Sequence, residues 1–341
     1  MKIAFFHHLS LTYYAGGEKV LMELASGLMM RGHQVEIYAL PLAKRRRNIP
    51  INEKLYYEKW LRRIMDVDSA YYVYAPMLCL ILKTDAPKIA GIHSPMYATH
   101  LQHHEVQRLN ILSFFRKFGI LRTATRLYFS VNSRELDTYN AVHMVSPALK
   151  QVINHRQVYC IPNGVDIERY LPTEKRMKFT VLFVGRREWA KGFDIYEKTA
   201  DMFSNVEDIE FSATGESIGK VRGLGFIREE DLPRIYGESH VLVYPTRIDL
   251  MSMAILEALA SGTPVITTPI PSHSSHNLPV IYASTPKEIA EKILWLKNVY
   301  EHNPEKYYKF ARQGRKAALD YDIRKTIKRF EVMLREVAKR D

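Results

Sequence analysis

Residues 245–264 read PTRIDLMSMAILEALASGTP, with apolar, strand-like segments on both sides. Ser252 is placed to cap a helix over residues 253–261, and Gly262 is placed to end that helix. A strand, a loop that contains Asp249, a helix and a second strand therefore follow one another. This order is typical of a parallel α/β sheet, in which ligands bind where loops and helix N-termini meet at the carboxyl ends of the strands.

The same alternation extends over the rest of the second half of the chain. It restarts after residues 161–166, where Pro162 and the pair Asn163-Gly164 indicate a turn or linker. Apolar periodicity then separates short strands from longer helices. The predicted strands cover residues 178–185, 209–215, 240–245 and 265–268, and the predicted helices cover residues 193–203, 229–236, 253–261, 286–301, 304–319 and 322–340.

The first half of the chain shows the pattern as well. A strand over residues 2–8 is followed by the pair Gly16-Gly17, by a helix that ends before Gly32, and by a strand over residues 34–40. Further strands are predicted over residues 70–74, 88–93 and 141–145, and the clearest long helix is predicted over residues 104–128.

The length of 341 residues suits two domains, each large enough to bury its own core. The alternation predicts a doubly wound parallel sheet in each of them. We place the N-terminal domain over residues 1–162 and the C-terminal domain over residues 163–321. We expect the last helix, over residues 322–341, to pack back on the N-terminal domain.

The net charge is +12, and it is unevenly distributed along the chain. Residues 1–155 carry 20 basic and 11 acidic side chains, against 29 and 26 in residues 156–341. A basic face attracts anionic partners, such as lipid head groups, lipid-linked pyrophosphates or nucleic acid. The first half has neither a nucleic-acid recognition motif nor an array of stacking aromatic residues, which argues against a nucleic-acid-binding module.

Other features of the composition indicate a globular protein of a reducing compartment. The two cysteines, Cys79 and Cys160, lack the spacing of a zinc site or a disulfide framework. The longest apolar run, over residues 75–82, is too short to span a bilayer. Since Met1 leads directly into a strand, we expect no cleavable signal sequence and a cytoplasmic location.

Two cations follow the strand predicted over residues 178–185. The segment over residues 184–192 reads VGRREWAKG, which places Arg186 and Lys191 five residues apart in a glycine-containing loop. A guanidinium forms paired hydrogen bonds with a phosphate, and an ammonium contributes a compact positive charge. The loop is therefore a candidate diphosphate site, although solvated surface charges are the alternative.

Two acids lie at the next candidate site. Asp249 is in the loop before the helix over residues 253–261, and Glu257 is within that helix. Carboxylates accept hydrogen bonds from vicinal hydroxyl groups, as a ribose or a hexose offers, while the amides near Ser252 and Met253 favour an anion. Gly16 and Gly17 likewise allow a phosphate to approach a helix N-terminus.

In their order along the chain, these motifs resemble those of retaining glycosyltransferases of family 4, and the resemblance covers most of the chain. It implies the GT-B fold, in which two Rossmann-like domains face each other across a cleft. Asp249 departs from the family pattern, which usually has glutamate there. The motifs are Gly16-Gly17, Arg31-Gly32-His33, Ile92-His93-Ser94-Pro95, Val145-Ser146-Pro147-Ala148, residues 161–166, residues 184–192, Leu224-Gly225-Phe226-Ile227 and residues 249–264.

The resemblance also implies roles for individual residues. Arg186 and Lys191 bind the diphosphate of a UDP- or GDP-sugar donor, and Glu257 binds its ribose. Asp249 and His93 bind the transferred hexose. The residues implied at the base of the nucleotide are Gly225, Phe226 and Ile227, and those implied at the donor phosphate or sugar from the other domain are Gly16 and Gly17.

The expected reaction transfers a mannose- or glucose-type hexose to a hydroxyl of a glycan or a lipid-linked acceptor. The diphosphate is neutralised by fixed cations on this view, so we expect no metal cofactor. An epimerase or a sugar-phosphate synthase of the same fold is the alternative enzyme.

Three further features carry weaker hypotheses. His100, His103, His104 and Glu105 lie close together in sequence, but without an HExxH order we do not expect a metal site. Asp66-Val67-Asp68 imitates a metal-binding acid pair, although we interpret it as a surface turn. The run Lys44-Arg45-Arg46-Arg47 and the basic, apolar helix over residues 104–128 form a candidate surface for an anionic membrane.

Overall fold

The computed structural model describes residues 1–7, 16–39, 67–73, 84–93, 95, 102–117, 119 and 134–339. Several predictions lie outside these residues: those on Lys44 to Arg47, Asp66, Cys79 and His100, and on the C-terminal half of the helix expected over residues 104–128. The chain divides into two compact units. The first unit comprises described residues within 1–98, 124–163 and 323–341, and the second comprises those within 99–123 and 164–322.

The first unit contains a six-stranded parallel sheet with the strand order β2-β1-β3-β4-β5-β6. Four of its strands are almost continuously buried, as expected for a sheet with helices on both faces, whereas the two edge strands, Gln34–Ala39 and Val158–Cys160, are partly exposed. The strands are β1 (Lys2–His7), β2 (Gln34–Ala39), β3 (Ser69–Val73), β4 (Lys88–Ile92), β5 (Ala141–Met144) and β6 (Val158–Cys160). The helices are Gly16–Met30 and Ile323–Ala338, with 3-10 turns at Arg134–Thr138 and Pro147–Gln151.

The helix Ile323–Ala338 belongs to the first unit, although the second unit precedes it in sequence. Glu331 on this helix is buried and is ion-paired with Arg31 and with His33, whose Nε2 lies 3.0 Å from Glu331 Oε1. A Cβ atom at Gly27 would lie 2.1 Å from Ile327, so the absence of a side chain there lets the helix approach closely. The last helix is thus fixed to the first unit by packing and charge.

The second unit contains another six-stranded parallel sheet, with the order β12-β11-β10-β7-β8-β9. The strands are β7 (Phe179–Phe183), β8 (Ile209–Ala213), β9 (Val221–Gly223), β10 (Val241–Tyr244), β11 (Val265–Thr267) and β12 (Ile281–Tyr282). The helices are His104–Gln107, residues 111–117, Phe193–Asp201, Leu232–Glu238, Met253–Ala260, Pro271–Ser274, Pro286–His302 and Pro304–Ala318, with 3-10 turns at Trp189–Lys191 and Leu319–Tyr321.

Both predicted parallel sheets are confirmed, and most elements lie within a few residues of their expected positions. The long helix expected over residues 104–128 is wrong, because the chain leaves the helix after Gln107 and starts a new one at residue 111. Asn110 explains the restart, since its side-chain oxygen accepts a hydrogen bond from the Ser113 amide at 2.9 Å, as an N-cap does. The described residues of this segment group with the second unit rather than the first.

The strand order locates the place where a ligand is expected in the second unit. From β7 the chain proceeds to β8 and β9 on one side, and it then returns to β10 on the other side. The loops after β7 and β10 therefore diverge at the carboxyl edge of the sheet, which is where doubly wound sheets bind ligands. Among the described residues, no helix combines the length and the apolar character needed to cross a bilayer.

Candidate functional site

The loops after β7 and β10 pack directly against each other. Gly192 has a φ of +74°, and a Cβ atom on it would lie 1.8 Å from the carbonyl oxygen of Pro245. Opposite it, the amides of Arg247 and Ile248 donate hydrogen bonds to the carbonyl of Ala190, at 2.9 and 3.2 Å. Glycine at position 192 is thus required both for the backbone conformation and for the close approach of the two loops.

Arg247 ties this pair of loops together. Its side chain is nearly inaccessible to solvent, forms paired hydrogen bonds to Asp194 at 2.6 and 2.9 Å, and lies over the ring of Trp189 at 4.6 Å. It also forms an ion pair with Glu105. No role for Arg247 was predictable from the sequence, because its partners lie 53 to 142 positions away in the chain.

Lys191 and Asp249, one from each of the two loops, form a partly buried ion pair, with side chains 21% and 12% exposed. Lys191 Nζ lies 2.9 Å from Asp249 Oδ2, which also accepts a hydrogen bond from the Tyr244 hydroxyl at 3.2 Å. Burial, the largest single influence, would lower the pKa of Lys191, but the charge of Asp249 together with Tyr244 and the hydrogen bonds to both outweighs it, so this pKa is raised. Burial would raise the pKa of Asp249, but Lys191 and His273 leave it below its usual range. Both groups are therefore charged at neutral pH.

Two further groups add positive potential at the same edge. Arg186 lies in the loop after β7 with its side chain 45% exposed, and its guanidinium is 3.0 Å from Glu188. The helix Met253–Ala260 begins here, so its first amides point toward the loops. Ser252 stands at the predicted N-cap position, but its side chain makes no capping hydrogen bond to the helix. The capping prediction for Ser252 was wrong in that respect.

Glu257 lies inside the same helix and is held in place by a tyrosine. It is only 4% exposed, and its Oε2 accepts a hydrogen bond from the Tyr236 hydroxyl at 3.0 Å. Burial, followed by the charge of Glu257, raises the pKa of Tyr236 well above its usual value, so Tyr236 remains a donor. A third acidic group, Glu229, lies near Glu257. Burial, followed by repulsion from the Glu257 carboxylate, raises the pKa of Glu229.

The segment predicted at the nucleotide base follows β9. Gly225 has a φ of +65° and exchanges two backbone hydrogen bonds with Gly215, at 2.8 and 2.9 Å. The next residue, Phe226, is 63% exposed. An exposed aromatic ring beside a fixed turn suits stacking on a planar base, and Ile227 follows it directly.

The remaining predicted residues belong to the first unit. His93 directly follows β4, and its Nε2 lies 2.7 Å from the Tyr71 hydroxyl. Burial, together with the neighbouring His143 and His7, lowers the pKa of His93 well below its usual value, so this imidazole is neutral at neutral pH. Gly16 and Gly17 open the helix Gly16–Met30, as expected.

The histidine-rich segment offers a poor cation site. Within the described residues, His103, His104 and Glu105 bring ligand atoms within 4.8 Å of one another. The carboxylate of Glu105 is ion-paired with the buried Arg247, whose charge opposes a second cation. The arrangement therefore serves to attach this segment to the loop after β10.

Two family models match the chain. The model of glycosyltransferase family 4 matches residues 14–169, and the model of glycosyl transferases group 1 matches residues 178–298. The second match contains all the loops of the second unit described above.

Two of the curated proteins with similar sequences are named for sugar transfer. The O-antigen chain mannosyltransferase B of Escherichia coli is 31% identical over 102 residues, which is 30% of this chain and 23% of that protein. A subunit of the human phosphatidylinositol N-acetylglucosaminyltransferase is 23% identical over 311 residues, which covers 81% of this chain and 64% of that protein. The chain thus spans less than two thirds of the length of these relatives.

Solved structures share the fold at low sequence identity. The sucrose-phosphate synthase of Thermosynechococcus elongatus superposes with a TM-score of 0.76 at 15% identity, with both chains fully covered. Anabaena HepE, in complex with UDP and glucose, superposes with a TM-score of 0.70 at 14% identity, covering 97% of this chain and 98% of that one. Together with the two family models, these likenesses identify the chain as a glycosyltransferase of the family 4 type with the GT-B fold.

Proposed function

We propose that this glycosyltransferase moves a hexose from a UDP- or GDP-sugar to a hydroxyl group of a glycan or a lipid-linked acceptor, with retention of the anomeric configuration. The observation that carries the proposal is the assembly at the edge of the second sheet. There, a partly buried lysine, an arginine and a helix N-terminus lie beside the partly buried carboxylate of Asp249 and the buried carboxylate of Glu257.

Each part of this assembly suits one part of the donor. Arg186, Lys191 and the amides near Ser252 and Met253 suit the diphosphate, because they place fixed positive charge where the leaving group gains negative charge. Glu257 suits the ribose, since Tyr236 holds one carboxylate oxygen in a fixed orientation. By the family resemblance, Asp249 binds the transferred hexose.

The proposed chemistry needs only the donor and the acceptor. The bond between the anomeric carbon and the diphosphate oxygen breaks, and a bond from the acceptor oxygen to the same carbon forms on the same face. The acceptor proton passes to the departing phosphate oxygen, which leaves as nucleoside diphosphate. Because Lys191 and Arg186 supply the neutralising charge, the proposal includes no metal ion.

The relatives support the donor and acceptor classes only in outline. HepE structures contain UDP or UDP-glucose, and the named relatives include a mannosyltransferase and part of a phosphatidylinositol N-acetylglucosaminyltransferase.

A lipid-linked acceptor would bring the enzyme to a membrane surface. On the second unit, Ile111 and Leu112 are 56% and 74% exposed, and Arg108 and Lys117 flank them, which suits an anionic interface.

The decisive experiment is a thermal-shift screen against UDP-glucose, UDP-N-acetylglucosamine, GDP-mannose and the free nucleotides, since a ligand that binds the native state raises the melting temperature. The donor that stabilises the protein is then used in turnover assays, with the anomeric configuration of the product determined by NMR. The proposal fails if none of these compounds stabilises the protein or if the product is inverted.

The assignment of Lys191 has a matched control. Lys191→Ala should reduce donor turnover by about one to three orders of magnitude, because a positioned cation at the leaving group is lost. Lys297 is also partly buried and ion-paired, with Asp208 at 2.6 Å, but it lies on the helix Pro286–His302 outside the site. Lys297→Ala should therefore leave turnover unchanged, and equal losses in both variants would contradict the role of Lys191.

The alternative enzymes give a different product pattern. A mannosylfructose-phosphate synthase is 26% identical over 154 residues, so a sugar phosphate is the second candidate acceptor. A panel of free sugars, sugar phosphates and lipid-linked sugars distinguishes it from the proposed acceptors. An epimerase would change the configuration of the sugar in the donor without transferring that sugar to any acceptor.

A further inference from the structure

Two side chains from outside the loop after β10 hold the backbone of Asp249. The Asp249 amide donates a hydrogen bond to Oε1 of Gln102 at 3.1 Å, and its carbonyl oxygen accepts one from the Ser272 hydroxyl at 2.8 Å. Gln102 is only 1% exposed, and Ser272 is completely buried. Both polar groups of the Asp249 backbone are therefore fixed by partners that lie 147 and 23 positions away in the chain.

Both partners are attached to the second unit by their own surroundings. Ser272 belongs to the short helix Pro271–Ser274, which follows β11. Gln102 precedes His103, whose amide donates a hydrogen bond to the carbonyl of Arg247 at 3.1 Å, so this segment lies along the loop after β10. The described residues before and after the segment group with the first unit. The position of Asp249 thus depends on a segment that the N-terminal half of the chain supplies.

The backbone position matters more for Asp249 than it would for a longer acid. Its Oδ1 accepts a hydrogen bond from the amide of Leu250 at 2.9 Å, and its Oδ2 contacts Lys191 and Tyr244. Aspartate has one methylene group less than the glutamate that is usual in the family, so its side chain has fewer torsions that could compensate for a backbone shift. Such a shift is therefore passed on to the carboxylate, and a misplacement of about 1 Å is already costly in an active site.

We propose that Gln102 and Ser272 are positioning residues that fix the Asp249 carboxylate and thereby set the preference of the enzyme for an intact nucleotide sugar over the free nucleotide. The inference rests on the proposed function, in which Asp249 binds the transferred hexose. Arg186 and Glu257, which are proposed to bind the nucleotide, lie in the loop after β7 and in the helix Met253–Ala260. Loss of a positioning residue should therefore weaken the contact with the hexose and preserve the contacts with the nucleotide.

The first test measures the hydrogen bond of Gln102 in the free protein. Gln102→Met keeps the approximate length of the side chain but removes the oxygen that accepts the Asp249 amide proton. Amide hydrogen exchange followed by ¹H–¹⁵N NMR should show Asp249 exchanging about tenfold faster in this variant, the scale of one lost hydrogen bond. The amide of Leu242 in β10, which donates to the carbonyl of Pro264 at 2.9 Å, should keep its rate. An unchanged rate at Asp249 overturns the role of Gln102.

The second test measures binding in matched serine variants. Ser272→Ala removes the hydroxyl that bonds to Asp249. Ser239→Ala removes a similarly buried hydroxyl, which donates to the carbonyl of Ile235 at 2.7 Å in the same unit but outside the site. Calorimetric titrations use UDP, GDP, UDP-glucose and GDP-mannose as probes. In Ser272→Ala and Gln102→Met, the Kd of the nucleotide sugar should rise about three- to tenfold, while the Kd of the corresponding nucleotide stays within about twofold of wild type. In Ser239→Ala, both Kd values should stay at the wild-type level.

The outcomes separate this inference from the proposed function. If the wild-type protein binds a nucleotide sugar and both variants keep its Kd, the inference is overturned and the proposed function stands. An equal rise for the nucleotide sugar and its nucleotide overturns the hexose-specific role, as does the same rise in Ser239→Ala. If none of the four probes binds to the wild-type protein, the proposed function fails and the proposed preference with it, while the exchange rate still reports whether Gln102 holds Asp249.

Discussion

Replacing Gly192 by alanine tests whether the two loops of the site must touch. The substitution adds one methyl group at a position with a φ of +74°, next to the backbone carbonyl of Pro245. Both the backbone conformation and the available space oppose that methyl group. Because Gly192 precedes the helix Phe193–Asp201 and follows Lys191, any movement there also displaces the lysine.

The expected size of the effect follows from the distances. The added Cβ would lie 1.8 Å from the carbonyl oxygen of Pro245, whereas non-bonded contacts require roughly 3.5 Å. The loops must therefore separate by roughly 1.7 Å, and a misplacement of about 1 Å in a catalytic site costs roughly a hundredfold in rate. The left-handed backbone adds about 1–2 kcal/mol of destabilisation for any residue with a Cβ.

Gly32→Ala separates these two contributions. Gly32 also has a left-handed backbone, with a φ of +84°, but a Cβ atom there would have no atom within 4 Å, and the residue is in the first unit. Each variant should lose about 1–2 kcal/mol from backbone strain, or roughly 2–8 °C in melting temperature. Only Gly192→Ala should lose kcat/KM for the donor, by about two orders of magnitude. Wild-type kcat/KM in Gly192→Ala would refute the reasoning.

Two further predictions concern single carboxylates. Tyr236→Phe removes the hydrogen bond to Glu257 and should weaken UDP or GDP binding about three- to tenfold in calorimetric titrations. A wild-type Kd would contradict the role of Glu257 at the ribose. Glu331→Gln should lower the free energy of unfolding by about 2 kcal/mol at pH 7. This value is smaller than the pKa shift alone implies, because the arginines are partly exposed and solvent screens their charge. Burial would raise the pKa of Glu331, but hydrogen bonds from Arg335, Arg31 and His33 lower it to about 2. In urea denaturation, the difference in unfolding free energy between the wild type and Glu331→Gln should therefore be fully present above pH 4.5 and should shrink toward pH 2.

The sheets were predictable because buried parallel strands are short apolar runs separated by helical periodicity. Three strands were not predicted from the sequence: β6, β9 and β12. Each has only two or three residues, too few to show a periodic pattern of apolar residues. One long helix was predicted over residues 104–128 because apolar residues occur on both sides of Asn110, so the sequence pattern shows no break at that position. Ile111 and Leu112 of that segment are exposed, so their hydrophobicity does not reflect burial in a core.

The candidate site was predictable as a set of loops but not as a set of contacts. Glycine, proline and acidic residues mark the loops in the sequence, whereas the partners of a side chain depend on which strands are neighbours. Lys191 and Asp249 are 58 positions apart and meet only because β7 and β10 are adjacent. Gln102 and Asp249 are 147 positions apart and carry no local signal at all.

The Lys191–Asp249 pair has a consequence for how a donor binds. In the free protein each charge neutralises the other in a partly buried position, where an isolated charge would be unfavourable. A diphosphate that approaches Lys191 competes with Asp249 for the ammonium. Its attraction to Lys191 is therefore partly offset by the weakening of the Lys191–Asp249 ion pair. Asp249 loses that stabilisation unless hydroxyl groups replace the lysine as hydrogen-bond donors. A complete nucleotide sugar supplies both the diphosphate and the hydroxyls, whereas UDP or GDP supplies only the first. On the proposed function, the pair therefore favours the intact donor over the product nucleotide, and Asp249→Asn should reduce that preference.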